Sequence, residues 1–127
     1  MSEHRKIELS PLGHTWILDL DGTLVKHNGY LVDGKDTFLC GALEFLRAIP
    51  EKDMILFLTS RTKEAAQMTE QFLQEHNVRY DQIIYGAPYG ERILVNDQKP
   101  SGLKTAVAVN TVRNVCMKDE IVVCDSL

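Results

Sequence analysis

The stretch Thr15-Trp16-Ile17-Leu18-Asp19-Leu20-Asp21-Gly22-Thr23-Leu24 decides how the rest of the chain is read. Thr15 to Leu20 is a short run of strand type, and Asp21-Gly22 ends it with turn residues. Asp19 interrupts that apolar run, where an uncompensated carboxylate costs several kcal/mol, so a cation or hydrogen bonds are expected beside it. Asp19 and Asp21 are two residues apart and share one face of an extended strand, and Gly22 lets the backbone turn at once. Both carboxylates can therefore reach one phosphate. Phosphoryl transfer through a covalent intermediate needs a nucleophile, an acid/base and a cation to offset charge, and two carboxylates with a magnesium ion supply all three. Mg²⁺ prefers oxygen ligands and keeps several waters, so Asp19, a main-chain carbonyl at Asp21 and Asp97 are enough protein ligands. Without that chemistry, the same residues are a capped strand end and a plain Asp-Gly turn.

Outward from this strand, short apolar runs alternate with helical segments, the pattern of a parallel α/β sheet. Met54 to Leu58 (MILFL) is continuously apolar, as a strand covered on both faces must be, and Thr59-Ser60-Arg61 follows its carboxyl end. Gln82 to Tyr85, Arg92 to Asn96, Thr105 to Val109 and Glu120 to Cys124 are further expected strands. Gly41 to Ile49 reads as a helix stopped by Pro50. Thr62 to His76 reads as a covering helix, with Ala65, Ala66, Met68, Phe72 and Leu73 at helical spacing, Thr62 capping its start and Asn77 closing its end. Val25 to Phe38 carries Gly29 and Gly34 and suits a loop or small hairpin. On this reading Asp19, Asp21, Thr59, Asn96 and Asp97 all lie at or just past carboxyl ends of strands, where open parallel sheets bind ligands.

The 127 residues amount to one domain, and 14 Lys+Arg against 18 Asp+Glu give a net charge of −4 that disfavours a polyanion-binding surface. No nucleic-acid partner is expected. No stretch has the roughly 20 apolar residues of a membrane span, and the first 14 residues lack the apolar run of a secretory signal, so the expected location is the cytoplasm. Cys40, Cys116 and Cys124 show no CxxC spacing and read as buried free thiols.

DLDGTL, Asp19 to Leu24, resembles the first motif of the haloacid dehalogenase (HAD) superfamily of phosphatases and phosphotransferases. FLTSR, Phe57 to Arg61, resembles the second motif, and ILVNDQKP, Ile93 to Pro100, the fourth. Successive motifs stand about 40 residues apart. The match spans roughly Trp16 to Val109 and leaves the tail, 110–127, without a role. The resemblance is strongest to small cap-less members, some of them associated with capsule and other surface-polysaccharide synthesis. It implies a single Rossmann-like HAD core with a central parallel sheet flanked by helices, a small flap and no cap domain. It also implies Mg²⁺-dependent hydrolysis of a small phosphate monoester, such as a sugar phosphate. Asp19 would be the nucleophile, Asp21 the general acid and base, Thr59 the phosphoryl ligand through its hydroxyl and N–H, and Asp97 a metal ligand. Gly22, Ser60 and Arg61 would line the phosphoryl site.

Two positions depart from the family pattern. Asn96 stands where many relatives carry a second acid, and Gly86-Ala87-Pro88 lacks the lysine that small relatives often carry in a Gly-Lys-Pro turn. Lys99 is the expected replacement, ahead of Arg92, Lys63 and Arg61. Val25 to Phe38 is long enough for a flap only, whose Lys26, His27, Tyr30 and Lys35 can touch the leaving group. A site this open takes bulky substrates unless a neighbouring copy covers it, as in oligomeric cap-less relatives. Two other readings compete. One is a HAD-like module that binds phosphorylated ligands or a partner with little turnover. The other is a response-regulator receiver, which needs a separate acceptor Asp in the third strand that QIIYG, Gln82 to Gly86, does not offer.

Overall fold

The computed structural model describes residues 5–126. In chain order it contains β1 (Lys6–Leu9), β2 (Thr15–Leu18), α1 (Gly29–Val32), α2 (Ala42–Ala48), β3 (Met54–Leu58), a 3-10 turn (Lys63–Ala65), α3 (Ala66–Glu75), β4 (Gln82–Ile84) and β5 (Glu120–Val123). It is a small α/β fold in which every strand pair is parallel. The described residues divide into two compact units, one of residues 13–88 with 111–117, the other of 5–12, 89–110 and 118–126.

The first unit holds a three-stranded sheet in the order β2-β3-β4. Leu18 is paired with Phe57, and Phe57 with Ile83. Ile55 and Phe57 are fully buried while Leu56 and Leu58 are only partly covered, so β3 packs more tightly on one face than its uniform composition suggests. The buried residues Leu20, Leu24, Val25, Ala42, Leu46, Ile49, Leu73 and Val78 complete the core with them. Trp16 of β2 meets Phe45 of α2 edge to face at 5.7 Å, a geometry aromatic pairs prefer.

Local chemistry explains the helix ends. Ile49, just before Pro50, takes extended geometry and ends α2, because proline crowds a preceding helical residue. After α3, Asn77 has φ +55°, its N–H donates to the Gln74 carbonyl, and the Val78 N–H donates to Leu73. That double closure with a left-handed residue is a Schellman ending, and Asn tolerates the left-handed region better than most residues. Thr62 makes no side-chain cap, so the entry to α3 runs through the 3-10 turn instead.

Asp53, just before β3, is fully buried. Its Oδ1 accepts the His14 main-chain N–H at 3.0 Å, and its Oδ2 accepts Trp16 Nε1–H at 3.0 Å and faces His14 Nδ1 at 3.3 Å. Burial alone would raise its pKa, but these bonds outweigh burial and hold it below the ordinary carboxylate value. The result ties the amino ends of β2 and β3 together.

In the second unit β1 and β5 pair in register, Lys6 with Glu120 through Leu9 with Val123. The β5 run was expected; its partner β1 was not. The expected strands at Arg92 to Asn96 and Thr105 to Val109 are not formed. Ile93 and Val95 are 86% and 89% exposed. An apolar run becomes a strand only when a neighbour pairs its N–H and C=O groups, and none does so here among the described residues.

Candidate active site

Asp19 and Asp21 follow the end of β2, and Thr59 follows the end of the adjacent β3, as expected. The backbone then folds tightly: the Leu20 carbonyl accepts the N–H groups of Thr23, Leu24 and Val25, and Gly22 N–H donates to the Val25 carbonyl at 2.7 Å. Gly22 has φ +82°, a conformation that a side chain would strain. Leu20, Leu24 and Val25 are buried on either side of the loop and anchor it to the core. Asp19 is half-buried, and its Oδ2 accepts the Thr23 hydroxyl at 2.8 Å.

Thr59 is buried. Its N–H donates to the Ile84 carbonyl as part of the sheet, and its hydroxyl oxygen accepts the Arg61 N–H at 3.1 Å. A hydroxyl that accepts one bond still has its own proton to give, and that proton is the part of Thr59 left for a ligand.

Arg61 organises the rest. Its Nε and Nη2 donate to the two carboxylate oxygens of Asp21, both at 2.9 Å, and its Nη2 and Nη1 donate to the two oxygens of Asp36 at 2.7 and 3.0 Å. Nη1 also donates to the Thr69 hydroxyl at 2.9 Å, and the Tyr30 ring lies 4.0 Å from the guanidinium carbon. A guanidinium has five N–H donors, and all five are taken by protein. Burial works to lower the Arg61 pKa, but the hydrogen bonds and charges of Asp21 and Asp36 more than offset it and hold the group above its ordinary value. In this arrangement Arg61 is a clamp on Asp21, and it can contact a phosphoryl group only by giving up one of these partners.

The flap is closed at its base by an antiparallel bridge between Val25 and Phe38, with Lys26 N–H donating to the Thr37 carbonyl. One helical turn, α1, sits inside it where the sequence suggested a plain loop or hairpin. Asp36 and Tyr30, on this flap, are the residues that reach Arg61. Sequence alone had no signal for Asp36, because an acid beside Gly34 and Lys35 reads as a solvated loop charge.

The tail contributes more than its composition suggested. In residues 111–117, Asn114 N–H donates to the Gly22 carbonyl at 2.7 Å, and Asn114 Oδ1 accepts the His27 N–H at 2.8 Å. A β-carbon on Gly22 would lie 3.2 Å from Arg113 Cγ. Arg113 is thus laid against the acidic loop, and its guanidinium has no hydrogen-bond or ion-pair partner among the described residues. His27 Nδ1, also against Gly22, is buried with no hydrogen-bond partner among those residues.

Asn96, Asp97 and Lys99 belong to the other unit and are exposed. The expectation that Asn96 and Asp97 cap a strand is corrected, since the strand is not formed. Thr105 ties this loop locally, accepting Asn96 Nδ2–H and donating to the Asp97 carbonyl, while the Lys99 N–H donates to the Leu103 carbonyl. Ser60 is half-buried beside Thr59.

For a metal, the donors of the first unit have the right chemistry: the Asp19 carboxylate and main-chain oxygens are hard ligands, with no thiolate among them. Among the described residues no three His, Cys, Asp or Glu side chains gather as a ready metal cage. A cation held there by so few protein oxygens would have to keep much of its water, as Mg²⁺ can. No helix among the described residues is long and apolar enough to cross a membrane. Comparison with known proteins finds no matching family model, no matching curated protein and no matching solved structure.

Proposed function

We propose that the chain is a Mg²⁺-dependent phosphatase of the HAD type, acting on a small phosphate monoester in the cytoplasm. The observation that supports this most is the meeting of Asp19, Asp21 and Thr59 at the carboxyl ends of two paired parallel strands, with Arg61 bonded to Asp21 across 40 residues of chain. An Asp19 oxygen attacks phosphorus, the bond from phosphorus to the leaving oxygen breaks, and Asp21, having released one Arg61 N–H and taken up a proton from solvent, gives that oxygen the proton. Asp21 then takes a proton from water as the water attacks the aspartyl-phosphate, releasing phosphate and restoring Asp19. The Thr59 hydroxyl donates to a phosphoryl oxygen. Asp19 and the Asp21 carbonyl would hold the magnesium ion, which supplies positive charge against the phosphoryl oxygens. The part of Asp97 in holding it rests on the sequence alone.

The cation missing at Ala87 is assigned to Arg113 ahead of Lys99. Arg113 lies against Gly22 in the same compact unit as Asp19, whereas Lys99 is on the exposed loop of the other unit. A second reading, a phosphoryl-ligand-binding module with little turnover, draws on Arg61, whose grip occupies both Asp21 oxygens. Hydrolysis of aryl and alkyl phosphates with and without Mg²⁺ separates the two. The enzyme reading expects metal-dependent release of phosphate from both classes, and binding without release supports the module.

A further inference from the structure

The flap carries a buried acid that the reaction does not use directly. Asp36 is 7% exposed and sits 25 residues before Arg61, yet both of its oxygens accept guanidinium N–H bonds. Arg61 is a fork with two usable edges, and in this fold one edge faces Asp21 and the other Asp36. Planar bidentate pairing fixes direction as well as distance. The orientation of Asp21 is therefore set through Arg61 by a residue of the flap. Thr69 fixes the same guanidinium from α3, donating its own proton to the Ala65 carbonyl. Tyr30 covers its face from α1.

We propose that Asp36 is a positioning residue that latches the Val25 to Phe38 flap onto Arg61 and, through Arg61, aims the Asp21 carboxylate at the leaving group. It rests on the phosphatase reading only for the second half of that statement. The latch is a feature of the folded chain alone.

Two variants test it. Asp36→Asn keeps the shape of the side chain and removes its charge. Arg61→Lys keeps a buried cation but replaces the fork with a point donor that cannot hold both carboxylates in one plane, and it serves if Asp36→Asn does not fold. The first readout does not depend on activity. Amide hydrogen exchange in residues 26–37 should rise at least tenfold in either variant while exchange in β2 and β3 stays unchanged, and trypsin should cut faster at Lys26 and Lys35. Unchanged flap exchange in a folded variant overturns the latch. The second readout is leaving-group dependence. Both variants should behave like Asp21→Asn, losing about 10²-fold or more on alkyl phosphates and much less on an activated aryl phosphate that needs no proton. In the double variant Asp21→Asn with Asp36→Asn, no further loss should appear. Equal losses on both ester classes overturn the aiming role. If the parent hydrolyses neither class, the phosphatase reading fails while the exchange result still decides the latch.

Discussion

MILFL in β3 and the Ile93-Leu94-Val95 run before Asp97 are both apolar stretches of strand type, and the molecule treats them in opposite ways. Ile55 and Phe57 are fully buried between paired strands, whereas Ile93 and Val95 face solvent in a segment without regular structure. The same contrast separates the polar residues that follow each run. All five guanidinium N–H donors of Arg61 are bonded and Thr59 is held through its N–H and its hydroxyl oxygen, while Asn96, Asp97 and Lys99 sit in an exposed loop with hydrogen bonds to Leu103 and Thr105. Hydrophobicity tells which segments are able to enter a sheet, and pairing partners decide which ones do.

If the fixed region carries the chemistry, the largest effect belongs to Asp19→Asn. The amide is nearly isosteric but cannot attack phosphorus, so turnover should fall by roughly 10⁴-fold or more with the melting temperature unchanged. Retained turnover in a folded variant would move the nucleophile elsewhere.

A stability pair sharpens the contrast between the two runs. Phe57→Ala should cost about 3–5 kcal/mol in urea unfolding, the usual penalty for removing a buried aromatic ring. Val95→Ala should stay within about 0.5 kcal/mol, as exposed positions do. A large loss at Val95 would mean that the second run is buried in solution.

The expected order at the missing cation is Arg113 above Lys99. Arg113→Ala should lower kcat/KM by about 10²-fold, close to 3 kcal/mol of transition-state stabilisation, and Arg113→Lys should recover part of it. Lys99→Ala should change it less than threefold. The reverse order would return the role to the loop beyond Asp97.

A more modest loss is expected at the amino ends of the strands. Asp53→Asn should cost about 1–3 kcal/mol, because one bonded oxygen becomes a donor group facing Trp16 or His14. Since the folded Asp53 pKa lies below the ordinary carboxylate value, its contribution is complete above that ordinary value and is lost as pH falls through the lower folded one. The difference in stability between parent and variant should therefore shrink only in strong acid. A difference that shrinks already near neutral pH would contradict this.

The fold was legible where local signals and pairing agreed. Apolar runs marked β2, β3, β4 and β5, Pro50 marked the end of α2, and Asn77 marked the end of α3. The strand at Arg92 to Asn96 was misread because an apolar run carries no information about its partner, and β1 was missed because Lys6 and Glu8 make a two-stranded edge look polar. At the site, Asp19, Asp21 and Thr59 could be read from their place after strands. The placements of Asp36, Thr69 and Arg113 could not, since each is set by contacts with residues remote in sequence or in another element, and a single acid, hydroxyl or arginine in a loop or helix looks the same whether solvated or buried.

The most direct test of the central claim is acid-quenched phosphoryl trapping followed by peptide mass mapping, with Mg²⁺ and an activated aryl phosphate. The account predicts one phosphoryl group on the peptide that contains Asp19, absent in Asp19→Asn and absent without the metal. Turnover with the label on another residue, or with no covalent label at any quench time, would contradict it.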